Sequence, residues 1–220
     1  VKISQVYDEI LADFDSTLEL YKKIEPDLNE PILECACGSG DLLYVLQQKY
    51  LSFGLDNDPE MLKLAKLKGC RNLIMMDMTK LEFKQTFETI LCFGDSINYL
   101  SKDDLLSFFA GVKKSLSNHG LFIFDIHHIS RLQEFEDPYI EEADMGEYQY
   151  QWMIQTYENQ LVHQFVFYIQ DDTIVETVMQ TVYSEQEIEE ILASIGLVIT
   201  NKSTDEDLEK VMYWCKKEGL

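Results

Sequence analysis

The sequence predicts an α/β fold: a doubly wound, mostly parallel seven-stranded sheet with an inserted antiparallel β-meander. Three observations predict it. From residue 31 to 126 short apolar runs alternate with longer amphipathic ones, the pattern of βαβ units. Residues 147–183 are instead rich in aromatic and β-branched side chains with frequent alternation, broken by turn-like triplets. After residue 184 the pattern returns to one helix and two strands.

Taken in order, residues 4–24 read as one or two amphipathic helices with Tyr7, Phe14 and Tyr21 on or near the apolar face. Strands follow at 31–36, 51–56, 71–76, 87–93 and 120–126, with helices between them at about 40–49, 58–68 and 101–116. Asp58-Pro59 places an N-cap before a proline at the first helical position, and Ser101-Lys102-Asp103-Asp104 resembles a capping box with Asp in the Glu slot. Glu158-Asn159-Gln160 and Asp171-Asp172-Thr173 divide the next segment into three antiparallel strands at 148–157, 161–169 and 174–183. Ser184-Glu185-Gln186-Glu187 is a capping box opening a helix that Gly196 closes, and strands near 197–202 and 209–216 complete the sheet. No repeat or linker divides the chain, so 1–220 reads as one domain.

Composition narrows the function classes. The 220 residues are 46% apolar, enough to bury one ordinary core. Formal net charge is −22, from 40 acidic and 18 basic side chains, and arginine occurs only at Arg71 and Arg131. Such a field repels a phosphate backbone, so nucleic acid is disfavoured as a partner. Lys63, Lys66 and Lys68 fit the solvated face of a helix better than a nucleic-acid track. The five cysteines are odd in number and most sit in apolar runs, which predicts reduced core residues and a cytoplasmic protein. Cys35-Ala36-Cys37 has the wrong spacing for a zinc knuckle, so no metal is expected. No apolar stretch approaches the roughly 20 residues of a membrane span, and the N-terminus lacks the pattern of a signal peptide.

The chemistry concentrates at Ile32-Leu33-Glu34-Cys35-Ala36-Cys37-Gly38-Ser39-Gly40-Asp41, a strand running through a glycine-rich turn into a helix. Such a turn offers backbone N–H groups to a ligand, and a Cβ would block close approach. The dinucleotide fingerprint would require glycine where Leu43 stands, and a Walker A lysine is missing. Leu51-Ser52-Phe53-Gly54-Leu55-Asp56 ends in a carboxylate at the sheet's carboxyl edge, placed to accept hydrogen bonds from ribose hydroxyls.

With these motifs in order, residues 31–126 resemble a class I S-adenosyl-L-methionine (SAM)-dependent methyltransferase. Glu34 to Gly40 is similar to the family's first motif, with Glu34 where Asp is usual and Ala36 where Gly is common. Phe53 to Leu62 is similar to its ribose strand and following helix start, and Asp77-Met78 falls where the family binds adenine. Phe87 to Leu100 resembles the fourth motif, which borders the transferred methyl, and Gly120 to Asp125 resembles the fifth strand. The resemblance implies SAM as cofactor, held by Glu34, Ala36, Cys37, Gly38, Gly40, Asp56, Asn57, Met61, Asp77, Met78, Phe93, Gly94 and Asp95, with Tyr7 and Tyr21 from a covering N-terminal helix. It makes 31–126 the SAM-binding core, 1–30 a helical cap, 145–183 the meander insertion and 184–220 the return to the core sheet.

The later part is similar to small bacterial members with antiparallel strands inserted after the fifth strand. That subset implies a histidine just after the fifth strand, matching His127, and a histidine and arginine in the last inserted strand, where Val178 and Thr181 stand here. Displacement at a sulfonium methyl needs an oriented acceptor and, for an oxygen or protonated amine, a base. His127 and Tyr99 are the expected catalytic residues, with His128, Asp95 and His163 as other candidate bases. Tyr148, Tyr150, Trp152 and Tyr157 are candidates to line the acceptor pocket. The expected partner is a small-molecule acceptor. An RNA or protein acceptor, a SAM-binding protein without catalysis, and an oligomer remain alternatives.

Overall fold

Strands β1 (Ile32–Cys35) and β4 (Phe87–Cys92) are almost wholly buried, as parallel strands covered by helices on both faces must be. The computed structural model describes residues 13–205, 207 and 209–219, together with Ile10. Tyr7 therefore lies outside the described residues. The remaining elements are α1 (Phe14–Ile24), α2 (Asp41–Leu46), β2 (Ser52–Asp56), α3 (Pro59–Leu67), β3 (Leu73–Met75), α4 (Lys102–Ser115), β5 (Leu116–His127), α5 (Arg131–Glu134), β6 (Tyr139–Asp144), β7 (Gln149–Tyr157), β8 (Gln160–Ile169), β9 (Asp172–Thr181), α6 (Glu185–Ile195), β10 (Leu197–Thr204) and β11 (Lys210–Lys217). Short 3-10 turns lie at Glu25–Asp27, Met78–Lys80 and Ser96–Tyr99.

The seven-stranded sheet has the order β10-β11-β5-β4-β1-β2-β3. Strands β1 to β5 run parallel, and β11 is antiparallel to both of its neighbours. Local signals start and stop the helices as expected. Asp58 caps α3 by accepting from the Glu60 N–H at 2.8 Å, Ser184 and Glu187 form the reciprocal box on α6, and Gly196 closes it in the left-handed region. Phe108, Phe109, Phe122, Phe124 and Tyr213 are fully buried and pack ring against ring, joining α4 to β5 and β11. Among the described residues no helix is long and apolar enough to cross a membrane.

The inserted sheet has four strands in the order β6-β7-β8-β9, one more than the expected meander. The additional strand, β6, carries Glu141, Glu142 and Asp144, which hide its alternation. Their carboxylates are met from β7, Glu141 by the Tyr150 hydroxyl, Glu142 by the Gln151 amide, and Asp144 by the Gln149 amide at 3.0 Å. One face of this sheet carries Trp152, His163, Phe165, Val178 and Gln180. The Thr181 carbonyl accepts from the Asn98 amide at 2.8 Å, which ties the insertion to the turn after β4.

Gly54 lets α2 settle against β2. A Cβ there would lie 2.5 Å from Leu43 Cδ2 and 2.9 Å from Cys37 Sγ, both in buried residues. Gly54→Ala is expected to cost about 1–3 kcal/mol by overpacking, read as a lower urea midpoint with an unchanged slope. An unmoved midpoint would mean that Leu43 yields freely.

Candidate functional site

The site begins where β1 runs out. The chain reverses through three residues with positive φ, Ala36 (54°), Gly38 (52°) and Gly40 (84°). Ala36 thus occupies a left-handed conformation that costs an ordinary side chain about 1–2 kcal/mol, which gives the resemblance's preference for glycine at that position a physical reason. The glycines serve different spaces. A Cβ on Gly40 would lie 2.8 Å from Ala65 Cβ and 2.9 Å from Cys70 Sγ, whereas one on Gly38 would meet nothing within 4 Å. Gly40 is required by packing inside the protein, and Gly38 faces open space.

Backbone donors and carboxylates organise the turn. Asp56, buried at the end of β2, accepts from the Gly38 N–H at 2.8 Å through Oδ2 and from the Asp58 N–H at 2.9 Å through Oδ1. Burial raises its pKa and these two bonds oppose the rise. Glu34 lies beneath the turn at 6% exposure, and its Oε2 has no hydrogen-bond partner. Burial, with Asp41 and Asp56 nearby, pushes this carboxyl up to about 8. Lys68 closes the turn from the end of α3, its Nζ 2.6 Å from Asp41 Oδ1 and 2.9 Å from Ser39 Oγ. This corrects its expected place on a solvated face: α3 ends at Leu67, and Lys68 turns inward as the helix cap.

Asp77 caps the 3-10 turn that follows β3. Its Oδ1 accepts from the Thr79 N–H and hydroxyl, and its Oδ2 pairs with Lys80 at 2.9 Å. Lys80 and Thr79 together lower its pKa to about 2. Met78 packs partly buried against the main core. Asn57 is exposed and Met61 half-buried at the start of α3.

A second group gathers at the ends of β4 and β5. Phe93 is buried, and Gly94 and Asp95 both have positive φ, so the chain folds back into the turn at Ser96–Tyr99. Asp95 Oδ1 lies 3.1 Å from Lys210 Nζ and 3.6 Å from His127 Nδ1, while Asp125 Oδ2 lies 3.3 Å from the same Lys210 Nζ. Burial works to raise Asp95, but Lys210 and His127 outweigh it and hold the carboxyl below its ordinary range. Asp125 is raised by burial, which Lys210 only partly offsets. His127 is 5% exposed, with its backbone N–H donating to Asn98 Oδ1 at 3.1 Å and its ring Nε2 2.9 Å from Gln180 Oε1. His163 Nε2 lies 2.9 Å from the same oxygen.

Several expected site residues lie elsewhere. Tyr21 does not reach the turn. Its hydroxyl donates to Glu25 at 2.9 Å beside Lys49 and Tyr50, because α1 runs alongside α2 and brings Tyr21 near the end of α2 remote from the glycines. His128 Nδ1 is engaged by Ser130, 2.8 Å from its Oγ and 3.2 Å from its N–H. Tyr157, at the end of β7, is 66% exposed, and Tyr99 is 54% exposed. Tyr148, Tyr150, Phe165 and Phe167 pack as a core of their own, with Trp152 against it.

Lys210 and Gln180 were absent from the expected site. Gln180 had a signal: Ile174, Glu176, Val178 and Gln180 share one face of β9, and a polar residue on a buried face needs a partner. Lys210 had none, since it reads as an ordinary basic residue at a strand start.

The chain is similar to known proteins in sequence and in structure. Residues 32–120 match the family described as "Methyltransferase domain". Over 219 residues the chain is 29% identical to a Bacillus subtilis (strain 168) protein named "Putative methyltransferase YqeM", covering 92% of this chain and 87% of that protein. A solved S-adenosylmethionine-dependent methyltransferase from Clostridium acetobutylicum ATCC 824 has TM-score 0.81 at 27% identity, covering 97% of each chain. SAM-bound CalS10, an amino pentose methyltransferase from Micromonospora echinaspora, shares the fold with TM-score 0.76 at 14% identity, over 96% of this chain and 94% of that one. The doubly wound sheet, the glycine turn and the carboxylate that ends β2 agree with these likenesses, which together support a class I SAM-dependent methyltransferase.

Proposed function

We propose that this chain transfers the methyl group of SAM to a nucleophilic atom of a small molecule held between the carboxyl edge of the seven-stranded sheet and the face of the inserted sheet that carries Trp152 and Gln180, with His127 taking the proton. One observation carries the reading. Two unlike sets of groups meet at a single sheet edge: a glycine turn flanked by Glu34 and Asp56, and a buried imidazole set against Asp95.

The residues at the turn fit SAM. Glu34 Oε2 is a buried acceptor without a partner, suited to an ammonium group. Gly38 and Gly94 leave open the space that a Cβ would fill. Each Asp56 oxygen holds one backbone N–H and keeps capacity for a hydroxyl donor. Bound SAM supplies an already activated methyl. The chain's own residues then have to orient the acceptor, exclude water and accept a proton. His127 is buried at the right edge for that last task, and Trp152 and His163 stack with ring centroids 5.9 Å apart above it on the inserted sheet. Net charge of −22 supports a small acceptor over RNA. All five cysteines are unpaired and buried, which supports a reducing, cytoplasmic setting.

Isothermal titration with SAM, followed by assay of S-adenosylhomocysteine release across an acceptor library, tests the reading. No binding at submillimolar SAM would defeat it. Asp56→Ala is expected to weaken SAM binding by about tenfold or more, since hydrogen bonds to a charged group contribute roughly 1.5–3 kcal/mol. His127→Ala should cut turnover at least about tenfold with SAM affinity little changed.

Glu34 yields a prediction about pH. Its folded pKa of about 8 lies above the unfolded value near 4.3, so the folded state binds the extra proton. The protonated carboxyl is tolerated fully below the unfolded pKa, and stability is lost as pH rises towards the folded one. Glu34→Gln removes this titration. Without SAM, the variant should gain roughly 2–4 kcal/mol on the wild type between pH 5 and pH 8, measured by urea unfolding at each pH, while its SAM affinity falls. Parallel pH profiles for the two proteins would refute the assignment.

A further inference from the structure

Four side chains at the acceptor side form one hydrogen-bonded series whose polarity is set at one end. The Trp152 indole N–H can only donate, and it donates to His163 Nδ1 at 3.3 Å. His163 Nδ1 is therefore a lone pair. Burial holds the ring neutral by lowering its pKa to about 4, so the ring's one proton sits on Nε2. That Nε2–H faces Gln180 at 2.9 Å, and a donor must meet the amide oxygen, which fixes which way the Gln180 amide points. The same Oε1 lies 2.9 Å from His127 Nε2, so that nitrogen must donate as well. In neutral His127 the lone pair is left on Nδ1, which is buried, has no hydrogen-bond partner and lies 3.6 Å from Asp95 Oδ1.

We infer that Trp152, His163 and Gln180 are positioning residues that lock His127 as its Nε2–H tautomer, making Nδ1 the atom that takes the acceptor's proton and Asp95 the counter-ion of the imidazolium so formed. The chemistry rests on the methyltransferase reading above, whereas the tautomer does not. As the acceptor's lone pair forms its bond to the methyl carbon, the carbon–sulfur bond breaks and its electrons go to sulfur. The acceptor's proton moves to His127 Nδ1. The imidazolium then donates from Nε2 to Gln180 and presents Nδ1–H to Asp95. The other charged groups around Asp95 and His127 are Lys210 from β11, Asp125 from β5 and Arg131 from α5, with His163 on β8 kept neutral. Lys210 stands between the two aspartates, its Nζ 3.1 Å from Asp95 Oδ1 and 3.3 Å from Asp125 Oδ2, and places a fixed cation beside the carboxylate that faces His127.

The whole chain, labelled with 15N-histidine, can be studied without knowing the acceptor. Long-range 1H–15N correlation spectra distinguish the two neutral tautomers at each ring, with peaks assigned through His127→Gln and His163→Gln. The expected wild-type result is Nε2–H at both His127 and His163. Gln180→Leu removes the shared acceptor and should raise the Nδ1–H to Nε2–H ratio at His127 about fivefold, the effect of losing one ordinary hydrogen bond. Gln180→Glu keeps an acceptor oxygen and should restore the proton to Nε2. Trp152→Phe keeps a stacking ring but removes the donor, so His163 should become a mixture of tautomers; this variant carries the test if Gln180→Leu fails to fold. An Nδ1–H tautomer at wild-type His127, or tautomer ratios unmoved in both Gln180→Leu and Trp152→Phe, would overturn the inference. SAM titration on the same samples separates the two readings, because failed SAM binding would remove the methyltransferase role and leave the tautomer result standing.

Discussion

Parallel pairing of β1 with both β2 and β4 is the constraint on which the rest of the structure depends. Ile32 pairs with Ser52 on one side and with Thr89 on the other, so the three strands end at nearly one level. Beyond β1 the chain must cross to opposite sides of the sheet, which leaves a crevice at the carboxyl edge. The glycine turn, the Gly94-Asp95 reversal and the end of β2 are the three exits around it. Backbone hydrogen bonds hold these exits in place, as where the Cys37 N–H meets the Leu55 carbonyl at 2.9 Å. Asp56 and Gly38 then join as a consequence of strand register.

The crevice concentrates acidic groups in a protein that is already strongly acidic. Asp56 is held by backbone donors, and Asp95 and Asp125 by Lys210. Glu34 Oε2 is buried without a hydrogen-bond partner, as is Asp95 Oδ1, but Asp95 has Lys210 beside it whereas the neighbours of Glu34 are carboxylates. A buried carboxyl in that position avoids charge by taking a proton, unless a cation arrives. The electrostatics thus divide the edge into a side that is satisfied internally and a side that awaits a positive group. Backbone strain falls in the same place, with Ala36 and Asp95 both held at positive φ.

The inserted sheet completes the opposite wall. Its attachment through Asn98 and Thr181 places Gln180 over His127, and the β8 register sets His163 beside Val178. Gln180 is almost fully buried, so the cost of leaving its amide unpaired enforces the contacts to both imidazoles. The insertion therefore acts on His127 through hydrogen bonds as well as by covering it.

Local patterns along the chain determined most of the architecture. The parallel strands, the caps at Asp58 and Ser184, the stop at Gly196 and the turn ending at Gly40 each depend on residues a few positions apart, so periodicity and capping chemistry reveal them. Leu43 excluded one class of ligand, and Asp56 follows from where a strand must end. β6 was hidden because its acids break the apolar alternation and find hydrogen-bond donors on the neighbouring strand, and the Tyr21–Glu25 contact was not legible because helix periodicity sets a face but not which end of the neighbouring helix it meets. What only the tertiary structure decided are the partners of His127: Asp95 lies 32 residues before it, Gln180 53 residues after it and Lys210 83 after. The physical reason is that side-chain polarity and charge at such separations acquire partners only when strand order and register bring them together.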